Sequence, residues 1–440
     1  HLYMTTYYQK TLFLTHRGKG HTLPRGPASH GVLGFHSNLL PSNHPSEDRR
    51  SGATCLPGGG LLLGVFDGHA GPACAHAVSQ RLFYYIAVAT LPLRTLAELE
   101  QAVQEERAVP PLLEWHKHPQ DHSGSHSGQD AFHSLRAYWQ LRLQGQVPVS
   151  ALVDAFSRLD DDLSLEAQAH LRGSLPGRSL TCPLQVALSG CTACVVHVSQ
   201  GVLHVANLGD SRAVLGVQEA GGGWSALSLT ADHNAQNPAE LRRVAGEHPA
   251  AERRTAVRHG RLLGLLLPFR AFGDVRFKWS SEALAHLCET RPDVLAAVGG
   301  VRAPQNYLTP PYLSARPEVT CHRIRAADKF LVLATDGLWE LMHRQTVVQL
   351  VGQHRLHQLS AGVTLGGLQR LLLERKGRAL AALEDQNAAT HLLRHAVGDD
   401  GYGGVEPRRL AKMLSLPADV ARMYRDDITI TVIQLNELHA

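Results

Sequence analysis

The sequence predicts an α+β fold in which β-sheets are flanked by helices. Three observations carry this expectation. Apolar runs near both ends of the chain each meet an aspartate, the middle of the chain alternates through short runs separated by glycine turns, and helical periodicities lie between these blocks. Repeating βαβ units would alternate strand and helix throughout, so a doubly wound parallel sheet is disfavoured.

Residues 1–40 are polar, rich in glycine and histidine and without period, and read as an irregular lead-in. Leu61–Phe66 is expected as a buried strand. Ala77, Leu82, Tyr85, Ile86 and Ala89 then recur at helical spacing over 73–89, giving a strand, tight turn and helix. Residues 115–130 read as an exposed loop, and 152–169 return to helix with Val153, Phe156, Leu159 and Leu163 near one face. Four runs follow, at 191–198, 202–208, 212–217 and 224–229. Gly209-Asp210-Ser211 and Ala220-Gly221-Gly222-Gly223 separate them, the pattern of an antiparallel meander. Residues 238–257 are expected as helix and the proline-rich 290–320 as a long loop. Strands at 330–334 and 428–435 bracket helical segments at 344–356, 366–383 and 386–397.

With 440 residues, one decorated domain or two are both open, and 44% hydrophobic residues suffice for a large core. The net charge of +4 arises from 43 basic and 39 acidic residues without a long basic block, so composition gives nucleic-acid binding no support. No apolar run reaches the roughly 18 to 20 residues of a membrane span, and no transmembrane segment is expected. Seven scattered cysteines suit a reducing compartment, and Cys191 and Cys194 read as packed thiols. His116, His118, His122 and His126 read as a solvated loop, since no second ligand pair completes a zinc pattern. Leu262–Leu267 is either a buried segment or a docking surface.

The chemistry lies where strands end. Leu61–Phe66 leads into Asp67-Gly68-His69, Phe330–Thr335 into Asp336-Gly337, and Asp426-Asp427 opens the final apolar run. A strand that delivers a carboxylate at its tip, with glycine letting the chain turn, is a way to hold a hard divalent cation. With Glu47-Asp48 and Asp210 these form an oxygen-rich, cysteine-free set suited to Mg²⁺ or Mn²⁺. Two such ions roughly 3.5 to 4 Å apart would share a water, lower its pKa and direct it at phosphorus.

Eight ordered motifs extend this reading: Glu47–Arg50, Gly64–Gly71, Ser189–Ala193, Ala206–Arg212, Leu229–Asn234, Arg270–Asp274, Leu333–Trp339 and Asp426–Thr429. In order and content they resemble the metal-dependent type 2C serine/threonine protein phosphatases. The resemblance implies two packed antiparallel β-sheets flanked by helices, a type 2C β-sandwich, over residues 41–440 as a single catalytic domain. Helical and loop insertions would fall near 92–180, 290–320 and 355–415. Phe83–Val88, Trp115–Pro119, Pro268–Val275, Glu384–His391 and Met413–Pro417 resemble the branch of that family acting on the pyruvate dehydrogenase complex. That likeness implies hydrolysis of phosphoserine on the pyruvate dehydrogenase alpha subunit, which reactivates the complex. It also implies a mitochondrial matrix address, docking on a lipoyl domain of the dihydrolipoyl acetyltransferase core and, in some members, a regulatory subunit. No EF-hand loop occurs, so a Ca²⁺ effect would arise at a partner interface. The rival readings are a type 2C-like scaffold without turnover and a phosphatase of other phosphoproteins.

Carried over residue by residue, the resemblance makes Asp67, Asp336 and Asp426 ligands of one metal. Glu47, Asp67 and the Gly68 carbonyl would serve the other, with Asp67 bridging. Asp48 would hold a water and His69 would protonate the departing serine oxygen, while Asp210 and Asp274 are candidates for a weaker third metal or for loop structure. Many members carry a phosphate-gripping arginine four residues before the Glu-Asp pair. Asn43 stands there in this chain, which leaves Arg49 and Arg50 as substitutes. Asp427 replaces a frequent asparagine, and Glu340 replaces an aspartate tied to the third metal in some members.

Overall fold

The computed structural model describes residues 19–22, 31–116, 129–146, 150–172, 182–292, 304–361, 385 and 387–436. In chain order the strands are β1 Lys19–Thr22, β2 Val32–Leu40, β3 Arg49–Cys55, β4 Leu61–His69, β5 Leu113–Trp115, β6 Gly190–Ser199, β7 Val202–Leu208 and β8 Arg212–Gln218. They continue as β9 Trp224–Ser228, β10 Val257–Arg258, β11 Arg261–Leu262, β12 Phe272–Gly273, β13 Glu318–Arg323, β14 Asp328–Ala334 and β15 Ile428–Leu435. One sheet has the order β1-β2-β15-β14-β8-β9. The other has the order β13-β7-β6-β4-β3-β5, with β12 also on β6, and every pairing in both is antiparallel.

The apolar runs are continuous because these strands are covered on both faces. On β4, Leu61, Leu63 and Val65 join a core between the sheets, while Leu62 and Phe66 pack outward against helices. On β14, Leu331 and Leu333 face inward, and Phe330, Val332 and Ala334 pack outward. Helices Ala73–Thr90, Gln129–Leu143 and Ala151–Arg172 cover the first outer face, and Arg344–Ala361, Ala388–Gly398 and Pro407–Leu414 cover the second. The expected layering is therefore present.

Several elements differ from the sequence reading. Residues 32–40, expected within an irregular lead-in, form β2, which pairs with β15 from Val32 to Leu40. Its buried Ser37 and Asn38 hide the strand pattern, and Asn38 Nδ2 donates to Thr390 Oγ1 at 2.8 Å. The supposed meander is divided: β6 and β7 form a hairpin in one sheet, but β8 and β9 belong to the other. Gly209-Asp210-Ser211 is thus a corner between layers, which carries Asp210 to the rim of the sandwich. The 238–257 helix stops at Glu247, and the last three residues of the proline-rich segment already belong to β13. Helix Gln129–Leu143 starts at the end of the expected exposed loop, and His118, His122, His126 and the segment 366–383 lie outside the described residues.

Candidate active site

The acidic residues meet at one rim of the sandwich because antiparallel order brings their strand ends there. Asp67 is among the last three residues of β4, Asp336 follows β14, Asp426 precedes β15, Glu47 and Asp48 precede β3, and Asp210 sits on the corner between β7 and β8. Ligand oxygens of Asp67, Asp210 and Asp336 all lie within 4.8 Å of one another. Asp210 is buried and the other two are half-buried.

Carboxylates so placed resist ionisation. Burial, followed by repulsion from Asp336, Asp48 and Asp210, drives Asp67 well above the usual carboxylate range. Burial and the charges of Asp336 and Asp232 push Asp210 up to about 7. Burial likewise raises Asp336, whose Oδ1 is enclosed without a hydrogen-bond partner. An oxygen donor set this crowded, with one buried acceptor left unpartnered, fits a small hard divalent cation.

Asp48 lies behind the cluster. It is buried, and its Oδ2 accepts from Thr429 Oγ1 at 2.7 Å and Thr335 Oγ1 at 2.9 Å, so it joins β3 to both closing strands. Glu47 and Asp426 lie outside the three-carboxylate group. Glu47 Oε1 accepts from the Gly71 amide at 2.5 Å and Oε2 from Asn43 Nδ2 at 3.1 Å. Asp426 Oδ1 accepts from the Asp427 amide at 2.7 Å and pairs with the Arg422 guanidinium. At Gly68 a Cβ would stand 2.5 Å from the Glu47 carbonyl oxygen, so only glycine lets β4 pass the Glu47 turn this closely.

Two residues do work that the sequence did not assign. Asp427 turns away from the cluster and binds the preceding acidic turn: Oδ2 accepts from the Glu47 amide at 2.8 Å and Ser46 Oγ at 2.9 Å, and Oδ1 from the Asn43 amide at 2.8 Å and from the Ser42 amide. Arg422 is exposed, and its charge acts on Glu47, Asp336 and Glu340 as well as on its partner Asp426. Its spacing of four residues from Asp426, typical of a helical ion pair, was the only signal available. Arg49, expected as a phosphate contact, instead spends its Nη1 on the Ser46 and Asp48 carbonyls at 2.5 and 2.7 Å, and Arg50 is half-buried on β3.

His69 ends β4 beside the cluster. Its Nε2 meets Asp274 Oδ2 at 2.5 Å, so Asp274 is a histidine partner in this structure. Burial disfavours the imidazolium, but the Asp274 charge and hydrogen bond outweigh it and hold the His69 pKa above its ordinary value. Gly190 makes room for the pair: a Cβ there would lie 2.0 Å from His69 Nε2 and 2.2 Å from Asp274 Oδ2.

A carboxylate cluster beside an anchored imidazole is equipped for hydrolysis of a phosphate ester, and known proteins agree. The protein phosphatase 2C family model matches residues 141–397. The mitochondrial [pyruvate dehydrogenase [acetyl-transferring]]-phosphatase 1 of Pongo abelii is 56% identical over 421 residues, covering 92% of this chain and 78% of that protein. The corresponding phosphatase 2 of Homo sapiens is 50% identical over 417 residues, with coverage of 92% and 78%. A protein phosphatase 2C homologue of Schizosaccharomyces pombe is 30% identical over 418 residues, covering 92% of this chain and 81% of that protein. The chain belongs to the protein phosphatase 2C family.

Proposed function

We propose that this protein is a divalent-metal-dependent serine/threonine phosphatase that removes phosphate from phosphoserine on the pyruvate dehydrogenase alpha subunit in the mitochondrial matrix. The observation that carries the reading is the meeting of Asp67, Asp210 and Asp336 beside the His69–Asp274 pair. The named activity of the relatives at 56% and 50% identity supplies the substrate. The catalytic unit expected over 41–440 is extended to include β2, whose pairing with β15 makes it part of the same sheet.

Asp67, Asp336 and Asp426 would hold one cation and Glu47, Asp67 and the Gly68 carbonyl the other, with Asp210 available to a third. Bound Mg²⁺ or Mn²⁺ would supply charge neutralisation for the phosphate and acidify the attacking water. The chain's own residues do the rest. Asp48, fixed by Thr335 and Thr429, would hold a water at the inner wall of the site. His69, with Nε2 committed to Asp274, keeps Nδ1 for proton donation to the leaving serine oxygen. Arg422 stands at the open side with a planar donor fork suited to phosphate oxygens, a contact that neither Asn43 nor the occupied Arg49 provides.

A lipoyl domain of the acetyltransferase core and a regulatory subunit are the partners that fit this role, with Ca²⁺ acting at such an interface. The test is release of phosphate from phosphorylated pyruvate dehydrogenase complex and from a generic phosphoserine peptide, with Mg²⁺ or Mn²⁺, with chelator, and with or without Ca²⁺. Metal-dependent release that favours the complex is expected. No release at saturating metal overturns the reading in favour of a scaffold, and equal rates on both substrates overturn the substrate assignment.

A further inference from the structure

The loop that carries Asp274 is gripped by a single face of helix Ala151–Arg172, which lies in the expected 92–180 insertion and contributes no residue to the carboxylate cluster. Three positions one turn apart make the contacts. Phe156 stacks on Phe272 with ring centroids 5.3 Å apart. Asp160 accepts the Gly273 amide at 2.8 Å and the Lys278 ammonium at 2.7 and 2.8 Å, and Lys278 also donates to the Ala271 carbonyl at 2.9 Å. Ser164 Oγ accepts from Trp279 Nε1 at 2.7 Å. Spacing of four residues places all three side chains in one row along the helix.

What the row holds is a conformation the chain would not keep by itself. Gly273 and Asp274 are consecutive left-handed residues, with φ of +66° and +50°, and Asp274 has no glycine's freedom to adopt it. The Asp274 amide is tied to the Ser189 carbonyl at 3.0 Å, and Gly273 pairs with Gly190 on β6. The Asp160–Lys278 pair is enclosed, with side-chain exposures of 13% and 12%, so water does not compete freely for it. Asp160 Oδ1, besides the ammonium, also takes the Gly273 amide, immediately before Asp274.

Resting on the acid role proposed for His69, we infer that Asp160 and Lys278 are positioning residues for catalysis: they fix the Gly273–Asp274 backbone so that the Asp274 carboxylate aims the His69 ring at the leaving oxygen. Helix Ala151–Arg172 is thereby part of the apparatus for leaving-group protonation. Neither residue touches substrate. A displacement of about 1 Å in such an arrangement costs on the order of a hundredfold in rate.

The experiment compares wild type, Asp160→Asn, Lys278→Gln and His69→Gln at saturating Mn²⁺, below the thermal midpoint of each. The substrates are a phosphoserine peptide and p-nitrophenyl phosphate, whose aryl leaving group needs little protonation. Asp160→Asn should lower kcat on the peptide by roughly 10- to 100-fold and on the aryl ester far less, the same split as His69→Gln. The double variant Asp160→Asn/His69→Gln should be no slower on the peptide than His69→Gln alone. Lys278→Gln should show the same split more weakly, and serves if Asp160→Asn does not fold. Equal slowing of both substrates, no slowing, or multiplicative losses in the double variant overturns the inference while His69→Gln still splits them. Loss of the split in His69→Gln itself removes the acid role, and the inference with it.

Discussion

The Asp427 carboxylate accepts the Glu47 amide at 2.8 Å across a separation of 380 residues, so the start of the last strand fixes the turn that presents the first acidic pair. Asp426, immediately before it, pairs instead with Arg422. Adjacent aspartates thus divide the work, one holding the backbone of the acidic turn and the other a guanidinium.

Asp427→Ala should lower stability by about 3 kcal/mol or more, since it leaves the amides of Ser42, Asn43 and Glu47 and the Ser46 hydroxyl without their acceptor. Urea unfolding of the two proteins measures this. A loss under about 1 kcal/mol would show that water replaces the carboxylate.

Asp336→Asn should separate metal binding from folding. Without metal it should stabilise the protein, because it removes a charge from a mutually repelling, buried group. Mg²⁺ should raise the thermal midpoint of wild type, a linkage worth about 2.7 kcal/mol at a hundred times the dissociation constant. That response should be lost in the variant. An unchanged Mg²⁺ response would remove Asp336 from the ligand set.

Arg422→Ala should raise KM for a phosphoserine peptide and Ki for inorganic phosphate together, each on the order of tenfold, while the metal concentration for half-maximal activity stays put. A shift in metal requirement alone would make Arg422 a partner of Asp426 and nothing more.

His233 supplies a pH signature. It is fully buried, its Nδ1 accepts the Gly209 amide at 3.0 Å, and burial, reinforced by Arg270 and Arg243, lowers its pKa to about 3. The unfolded chain therefore takes up a proton near pH 6.5 that the folded protein refuses. Stability from this group is whole above that pH and drains away as pH falls toward 3. Between pH 7 and pH 5 it amounts to about 2 kcal/mol. His233→Gln should flatten the difference in unfolding free energy between these two pH values by that amount, and an unchanged slope would refute the assignment.

Asp67 and Asp336 were legible in the sequence because each closes an apolar run long enough to be only a buried strand, and a glycine follows each. The two sheets and their covering helices followed from the same runs. β2 was not legible, since Ser37 and Asn38 are buried where alternation calls for apolar side chains. β3 was missed because it is polar at its start, Arg49-Arg50-Ser51, and its only buried apolar side chains are Ala53 and Cys55, on the face toward the helices. Asp210 was placed on a hairpin, because a glycine corner that changes sheets is written with the same residues as one that does not. Arg422 and the turn-forming role of Asp427 depend on which way neighbouring side chains point after the last helix, and periodicity carries no information there.

Asp67 belongs to one sheet and Asp336 to the other, and the corner bearing Asp210 joins them. Neither layer by itself carries all three carboxylates, so the Asp67–Asp210–Asp336 group exists only once both sheets have packed together in register.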